Sequence, residues 1–234
     1  MGNRYPDRVT AQPSPARGAP PAARTPRARR SDGEETRRRV LDAAVASILE
    51  LGYYETSTNE IARRAGVTWG ALQYQFGTRE ALLLEVVNDR WDRLQALVAS
   101  ARIEGRTLEE RLSSLMNVLA EHYGREEELA QIQILLDLTR NPKVSGPTRQ
   151  AVAEHGRKLL KAWRPLFEQA LDQAAGEEDL VRYAFNALRG FLLGGLISAG
   201  VAGPRRDRSS GKMLVDGVAA VVRAEAAARH IRVE

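Results

Sequence analysis

The chain contains no cysteine, which removes disulfides, thiol nucleophiles, iron–sulfur clusters and cysteine zinc sites together and fits a reducing compartment. Histidine is scarce as well. His122, His155 and His230 stand far apart, without His-x-x-x-His spacing or a neighbouring carboxylate cluster, so no metal site is expected. A phosphate-cradling glycine loop, a dinucleotide fingerprint and a Gly-x-Ser-x-Gly elbow are missing, and Gly190-Phe-Leu-Leu-Gly194 lies inside a helical stretch rather than after a strand. These gaps predict no catalytic residue, no cofactor and no enzymatic activity. Long hydrophobic runs are missing too. The longest uncharged stretch, Gly190 to Gly203, has about 14 residues where a spanning helix needs roughly 20, and no apolar segment follows the N-terminus. The expectation is a cytoplasmic protein without a membrane span.

What is present suits one large domain or two modest ones: 234 residues, 43% hydrophobic and 28% charged. The net charge of +5 is unevenly spread. Residues 1–30 carry seven arginines against one acid, whereas residues 31–90 carry seven basic against ten acidic side chains. Six of the ten prolines also fall in the first 30 residues, which argues against a core or a helix there. Residues 1–33 are therefore expected to form a disordered Pro/Ala/Arg-rich basic arm. Two readings stay open for it: an arm that follows DNA phosphates or enters a minor groove, or a solubilising extension.

From Glu34 onward the periodicity is helical and no period-two strand appears, so the fold is expected to be all-α. Val40, Leu41, Ala44, Val45, Ile48 and Leu49 form the stripe of a first helix closed by Gly52. Later helices are predicted at about 79–103, 107–123, 127–139, 147–175, 178–200 and 211–229. The Glu126-Glu127-Glu128 run reads as a solvated helix start.

Between the first two of these, Ser57-Thr58-Asn59-Glu60 has capping-box spacing and opens a short helix that stops at Gly66. Val67-Thr68 opens another that runs to Phe76. Two short helices around one glycine make a helix-turn-helix, with Ala62 permitting a close crossing and Ile61, Val67, Leu72 and Phe76 forming the apolar clamp. The second helix then presents Thr68, Trp69, Gly70, Gln73 and Tyr74. Gln73 can pair with adenine, Thr68 and Tyr74 can donate to phosphates, and Trp69 can pack on a thymine methyl or a sugar. Thr78-Arg79-Glu80 opens a further helix whose free N–H groups and Arg79 charge suit a second phosphate anchor. From spacing alone, Trp69 and Tyr74 as ordinary packing aromatics of a structural helix pair remains an alternative.

The run Arg39-Val40-Leu41-Asp42-Ala43-Ala44, Leu51-Gly52-Tyr53, Thr56-Ser57, Ile61 through Leu72 and Phe76-Gly77-Thr78-Arg79-Glu80-Ala81-Leu82 resembles the TetR/AcrR family of bacterial regulators. The likeness covers about 50 consecutive residues with correct spacing through three helices. It implies an all-helical homodimer with a three-helix DNA-binding head at 34–82 and a ligand-binding, dimerisation body at 83–234. Its double-stranded DNA operator would be vacated when an unknown small-molecule effector binds. Carried over by position, Thr68, Trp69, Gly70 and Gln73 face bases, while Thr56, Thr58, Tyr74, Gln75 and Arg79 face phosphates. The chain departs from the family in Trp69, where a lysine or a small polar residue is usual, and in Gln73-Tyr74-Gln75 in place of Tyr-His-Tyr.

In the body, apolar residues at helical spacing are mostly core. The resemblance implies a cavity among them, with Leu115, Met116, Leu119, Leu135, Leu138, Trp163 and Phe167 as candidate lining and His122, Tyr123, Gln131, Gln133 and Asp137 as candidate polar contacts. Residues 180–200 are too apolar all round for a helix with one face in water. Together with the last helix they suggest a two-fold four-helix interface through Phe185, Leu188, Phe191, Leu192, Leu196, Met213, Val218, Val221 and Val222. Mutual cover inside a monomer is the alternative.

The expected function is a sequence-specific DNA-binding regulator, a repressor released from a near-palindromic operator by a small apolar or amphipathic ligand. The runner-up is an all-helical protein-interaction module with nonspecific DNA binding.

Overall fold

A computed structural model describes residues 26–202 and 208–233. The chain divides into two units, Met1–Glu35 and Thr36–Glu234. The described part of the first is one end of helix α1, Pro26–Leu51; residues 1–25 of the expected arm lie outside the described residues. The helix thus begins eight residues before the expected Glu34. Pro26 stands at the first helical position, where a missing N–H costs nothing, and the residues after it are mostly good helix formers.

In the second unit every described element is helical. The stripe of α1 buries Val40, Leu41, Ala44 and Ile48, and Gly52, at φ +89°, ends it by donating to the Ile48 carbonyl at 2.9 Å. Helix α2 spans Thr58–Ala65 and opens on the Ser57 hydroxyl, which accepts from the Glu60 amide at 3.2 Å. The expected capping box is only half made. The Glu60 carboxylate turns instead to Arg63 and Arg64, at 2.7 and 2.6 Å, because two guanidiniums one turn on outcompete a single backbone N–H. Gly66 closes α2 in the left-handed region at φ 65°, ψ 33°, a conformation that a side chain would strain. Helix α3 spans Trp69–Phe76, with Thr68 Oγ1 accepting from the Ala71 amide at 3.1 Å. Helix α4, Arg79–Ser100, is opened in the same way by Thr78.

Helices α5 (Leu108–Tyr123), α6 (Glu127–Arg140), α7 (Gly146–Leu171), α8 (Glu178–Ala202) and α9 (Arg208–Ala228) follow, with a 3-10 turn at Asp172–Gly176. A full capping box is made at α5, between Thr107 and Glu110. Gly105 before it has φ +135°, and a Cβ there would lie 2.6 Å from that of Glu110, so the turn admits only glycine.

Two apolar clusters hold the unit together. One gathers α1, α2, α3 and the first half of α4, through Ile61, Leu72, Phe76, Leu82 and Val86, and it includes Ala130, Ile134 and Leu138 of α6 with Val144 and Val152. The other joins the far end of α4 to α5, α7, α8 and α9 around Leu112, Tyr123, Trp163, Phe167 and Phe185. The expected boundary at 82/83 is therefore no packing boundary: α4 runs through it unbroken, and α6 is welded to the head. Over Glu178–Gly200, α8 is long and apolar enough to cross a membrane, with a mean hydropathy of 1.2. The uncharged-run reading missed this because Arg182 and Arg189 interrupt the stretch. One face of it, Leu180, Val181, Ala184, Phe185 and Leu188, is buried in the protein's own core.

Candidate nucleic-acid interface and body cavity

Because Leu72 and Phe76 face inward, the 3.6-residue period of α3 turns Trp69, Gly70, Gln73, Tyr74 and Gln75 outward, and all five are exposed, Tyr74 to 95%. Burying such aromatics would normally be favourable, so their exposure argues against the packing alternative. Thr68 is exposed at the cap and Thr58 half-buried at the start of α2. Two phosphate-facing assignments need correction. Thr56 is buried at 2% exposure, and its hydroxyl donates to the Gly52 carbonyl at 2.9 Å. Arg79 is half-buried and folded back on Tyr53: it donates to the phenol oxygen at 3.2 Å and the carbonyl at 2.9 Å, with its guanidinium 4.5 Å from the ring centre. A planar cation matches a ring face and a carbonyl at once, so Arg79 fixes the turn rather than reaching outward. Tyr54, 89% exposed, was not foreseen.

The basic side chains of α2 are paired as well. Arg63 and Arg64 hold the Glu60 carboxyl down at about 2, and Arg64 also meets Glu50 at 2.5 Å. Among the described residues of α2 and α3 the cations are thus paired, and what the outward face of α3 offers is exposed polar and aromatic side chains and first-turn amides.

In the body, a cavity of about 420 Å³ opens between α4, α5, α6, α7 and α8, within the range of small-molecule sites. Of the expected lining, His122, Tyr123, Leu135 and Gln131 meet there. Leu115, Leu119, Leu138, Trp163 and Phe167 do not: each is at most 1% exposed and belongs to the packed clusters. Met116 is half-buried and points toward Gly211 of α9, and Asp137 is engaged by Tyr53. Apolar periodicity finds buried residues but cannot say which of them border a void.

Charged residues of the wall were missed altogether. Arg90 and Glu128 are buried at 8% and 3% exposure and form an ion pair of 2.9 Å, while Arg90 also donates to Gln131 Oε1 at 3.2 Å and the His122 carbonyl at 3.3 Å. The signal was in the spacing: Arg90 lies four residues from Val86 and from Leu94 on the buried stripe of α4, and Glu128 four from Ile132 on α6. Burial pushes the Glu128 carboxyl up and Arg90 opposes it. His122 is pulled down to about 3 by burial, helped by Arg90, Arg189 and Arg125, so its imidazole is neutral at physiological pH. Tyr123, pushed up to about 12 by burial, accepts from Trp163 Nε1 at 3.1 Å. The Arg189 guanidinium lies 4.9 Å from the Tyr123 ring centre, and its buried Nε has no hydrogen-bond partner.

The expected interface divides. Phe185, Leu188, Val218 and Val222 are buried in the chain's own core, so they cannot be contact residues, and Phe191, Leu192 and Leu196 are half-buried. Met213 and Val221 are exposed, together with Tyr183 and Ile197, which were not named. The mutual-cover alternative thus accounts for one face of each helix and leaves the other uncovered.

Residues 40–86 match the family model for bacterial regulatory proteins of the tetR family. The chain is 24% identical over 164 residues to the HTH-type transcriptional regulator LmrA of Bacillus subtilis, covering 70% of this chain and 85% of that one. It is 26% identical over 145 residues to the HTH-type transcriptional repressor KstR of Mycolicibacterium smegmatis, covering 62% and 67%. In fold it is similar to a transcriptional regulator from Rhodococcus sp. Rha1, with a TM-score of 0.59 at 19% identity over 80% of this chain and 95% of that one.

Proposed function

We propose, starting from a chain that belongs to the TetR family of DNA-binding bacterial regulators, that it is a cytoplasmic homodimeric repressor released from a near-palindromic operator by a small ligand. The observation that carries the reading is the outward face of α3, where Trp69, Gly70, Gln73 and Tyr74 stand exposed opposite the buried Leu72 and Phe76. A helix with such a face enters a major groove and reads base edges near its N-terminus. Thr58, Thr68 and Gln75 serve the flanking phosphates. The uncovered faces of α8 and α9 support a second copy across a two-fold, which would set two α3 helices about 34–36 Å apart on successive grooves.

Release follows from the position of α6. Its Gln131, Ile132 and Leu135 line the cavity, and its Asp137 is bonded to Tyr53 of the head at 2.6 Å. A ligand that fits one placement of α6 better than another shifts the population of head positions by that difference in affinity.

The test is selection of binding sites from a random duplex pool at near-physiological salt, followed by a salt titration of any enriched site. Enrichment of one near-palindrome is the expected result. Weak, salt-sensitive binding without enrichment would overturn the reading and leave a protein-interaction module with a nonspecific grip on DNA.

A further inference from the structure

The cavity has more positive than negative charge in its wall. Arg90 and Arg189 border it with one carboxylate, Glu128, and Glu128 Oε2 is committed to Arg90 at 2.9 Å. Arg189 stacks on the rings of Tyr123 and Phe185, 4.9 and 5.9 Å from its guanidinium carbon, and hydrogen-bonds the Tyr123 hydroxyl, with Glu128 acting on it only at longer range. Stacking of this kind uses the flat face of a guanidinium and leaves its in-plane N–H groups to find acceptors. Its Nε is buried without one, and a buried donor of a charged group left unpaired is costly. The same imbalance acts on His122, which Arg90 and Arg189 help to keep neutral. The remaining wall is apolar: Trp91, Leu94, Ile132, Leu135 and Leu159 border the same space.

We propose that the effector is an acidic amphiphile, a single carboxylate on an apolar chain, with the carboxylate seated on Arg189 and the chain lying against Leu94, Leu135 and Leu159. The inference rests on the reading of the cavity as the effector site and names the chemistry of its occupant. A carboxylate supplies the acceptor that Nε lacks and balances the excess positive charge that Arg90 and Arg189 together hold over Glu128. An organic cation would meet Arg90 and Arg189 with the only nearby carboxylate already engaged. A dianion would exceed the charge available to it.

The experiment is titration calorimetry of the full chain with decanoate, decanol, methyl decanoate and decyltrimethylammonium, each below its aggregation threshold. Decanoate should bind at least about tenfold more tightly than the other three, as expected for a charge-assisted hydrogen bond in a desolvated site. In Arg189→Gln its affinity should fall to that of decanol while decanol binding is kept. The methyl ester masks the carboxylate on the same chain, so the wild-type comparison decides the matter even if the variant does not fold. Equal binding of ester and acid, preference for the ammonium, no heat from any of the four, or a decanoate preference that survives Arg189→Gln would each overturn the proposal. No DNA is present in these titrations, so their failure leaves the operator reading standing, and a failed site selection leaves the calorimetric result standing.

Discussion

Tyr53 donates its phenol hydrogen to Asp137 Oδ2 at 2.6 Å, a contact between residues 84 positions apart. Arg79 in turn donates to Tyr53, through the phenol oxygen at 3.2 Å and the carbonyl at 2.9 Å, and Asn141 donates to the other Asp137 oxygen at 3.1 Å. The four residues form a polar chain from the start of α4, through the turn after α1, to the end of α6. The cavity borders α6 within one turn of Asp137, at Leu135 and Leu136. Under the proposed release, a ligand that displaced α6 would strain or relax the bond that registers Tyr53 against it.

Replacing Tyr53 by Phe should cost about 1–2 kcal/mol, since a hydrogen bond to a charged acceptor is lost while the ring remains packed. Burial, with Asp137 adding, pushes the Tyr53 hydroxyl up to about 12 from 10.0. A raised folded pKa contributes stability that is present below pH 10 and disappears as pH rises toward 12. Urea unfolding at a series of alkaline pH values should show a larger loss in the wild type than in Tyr53→Phe, where the raised hydroxyl of Tyr123 remains to titrate. The variant should also answer ligand with a smaller change in operator affinity; an unchanged response would remove Tyr53 from the route between the sites.

The helix-turn-helix was legible in the sequence because its signals are local: the cap at Ser57, the left-handed Gly66, and Leu72 and Phe76 at one-turn spacing. The roles of Thr56 and Arg79 were not, because each is decided by a partner that spacing does not reveal, the Gly52 carbonyl and the Tyr53 ring. The body was harder to read. A fully buried Trp163 and a cavity-lining Leu135 look alike in a periodic pattern, and Arg90 and Glu128 pass for surface charges until α4 and α6 are brought together. At α8 and α9 the overall apolarity was plain, but which face each helix spends on its own core, Leu188 and Val222 rather than Ile197 and Met213, depends on the packing angle.

Gln73→Ala should weaken operator binding by about 1–3 kcal/mol and relax preference at one base position in each half-site. Tyr74→Phe, which removes a hydroxyl from an exposed phosphate-side residue, should lower affinity by a similar factor for every sequence. Neither should move the melting temperature, since both side chains are solvent-exposed. Unchanged footprints in both variants would move the DNA contact off α3.

Placing a charge on the uncovered face, as in Ile197→Glu or Met213→Glu, should leave the monomer folded, because these side chains are 54% and 70% exposed. In the dimer each would bury an unpaired carboxylate near the two-fold axis. Sedimentation should then show a monomer, with operator binding lost along with the second head. A variant that stays dimeric would place the interface elsewhere.

His122 titrates at about 3 in the folded chain against 6.5 when solvated. Between these values the unfolded chain binds the extra proton, so stability rises with pH up to about 6.5 and is lost as pH falls below it, by at most about 1.4 kcal/mol per unit. The raised carboxyl of Glu128 acts in the opposite sense, and the depressed Glu60, Glu109 and Asp179 add losses of their own only below the ordinary carboxylate range. The informative comparison is thus wild type against His122→Phe at mildly acidic pH, where the variant should lose less stability than the wild type. Parallel profiles would contradict a buried neutral imidazole.

The Arg90–Glu128 pair makes a further test, because a buried ion pair and its separated partners behave differently. Arg90→Met should cost about 3–5 kcal/mol at neutral pH, since Glu128 keeps its burial and loses the cation that opposed it. That loss should shrink in acid: a buried carboxyl whose folded pKa is raised gives stability at low pH that disappears as pH rises. Replacing both residues, Arg90→Met with Glu128→Leu, removes two desolvated charges together and should recover most of the loss. Urea unfolding of the two single variants and the double variant closes the cycle. A double variant as unstable as Arg90→Met would mean that the hydrogen bonds from Arg90 to Gln131 and the His122 carbonyl, rather than the ion pair, hold α4 against α5 and α6.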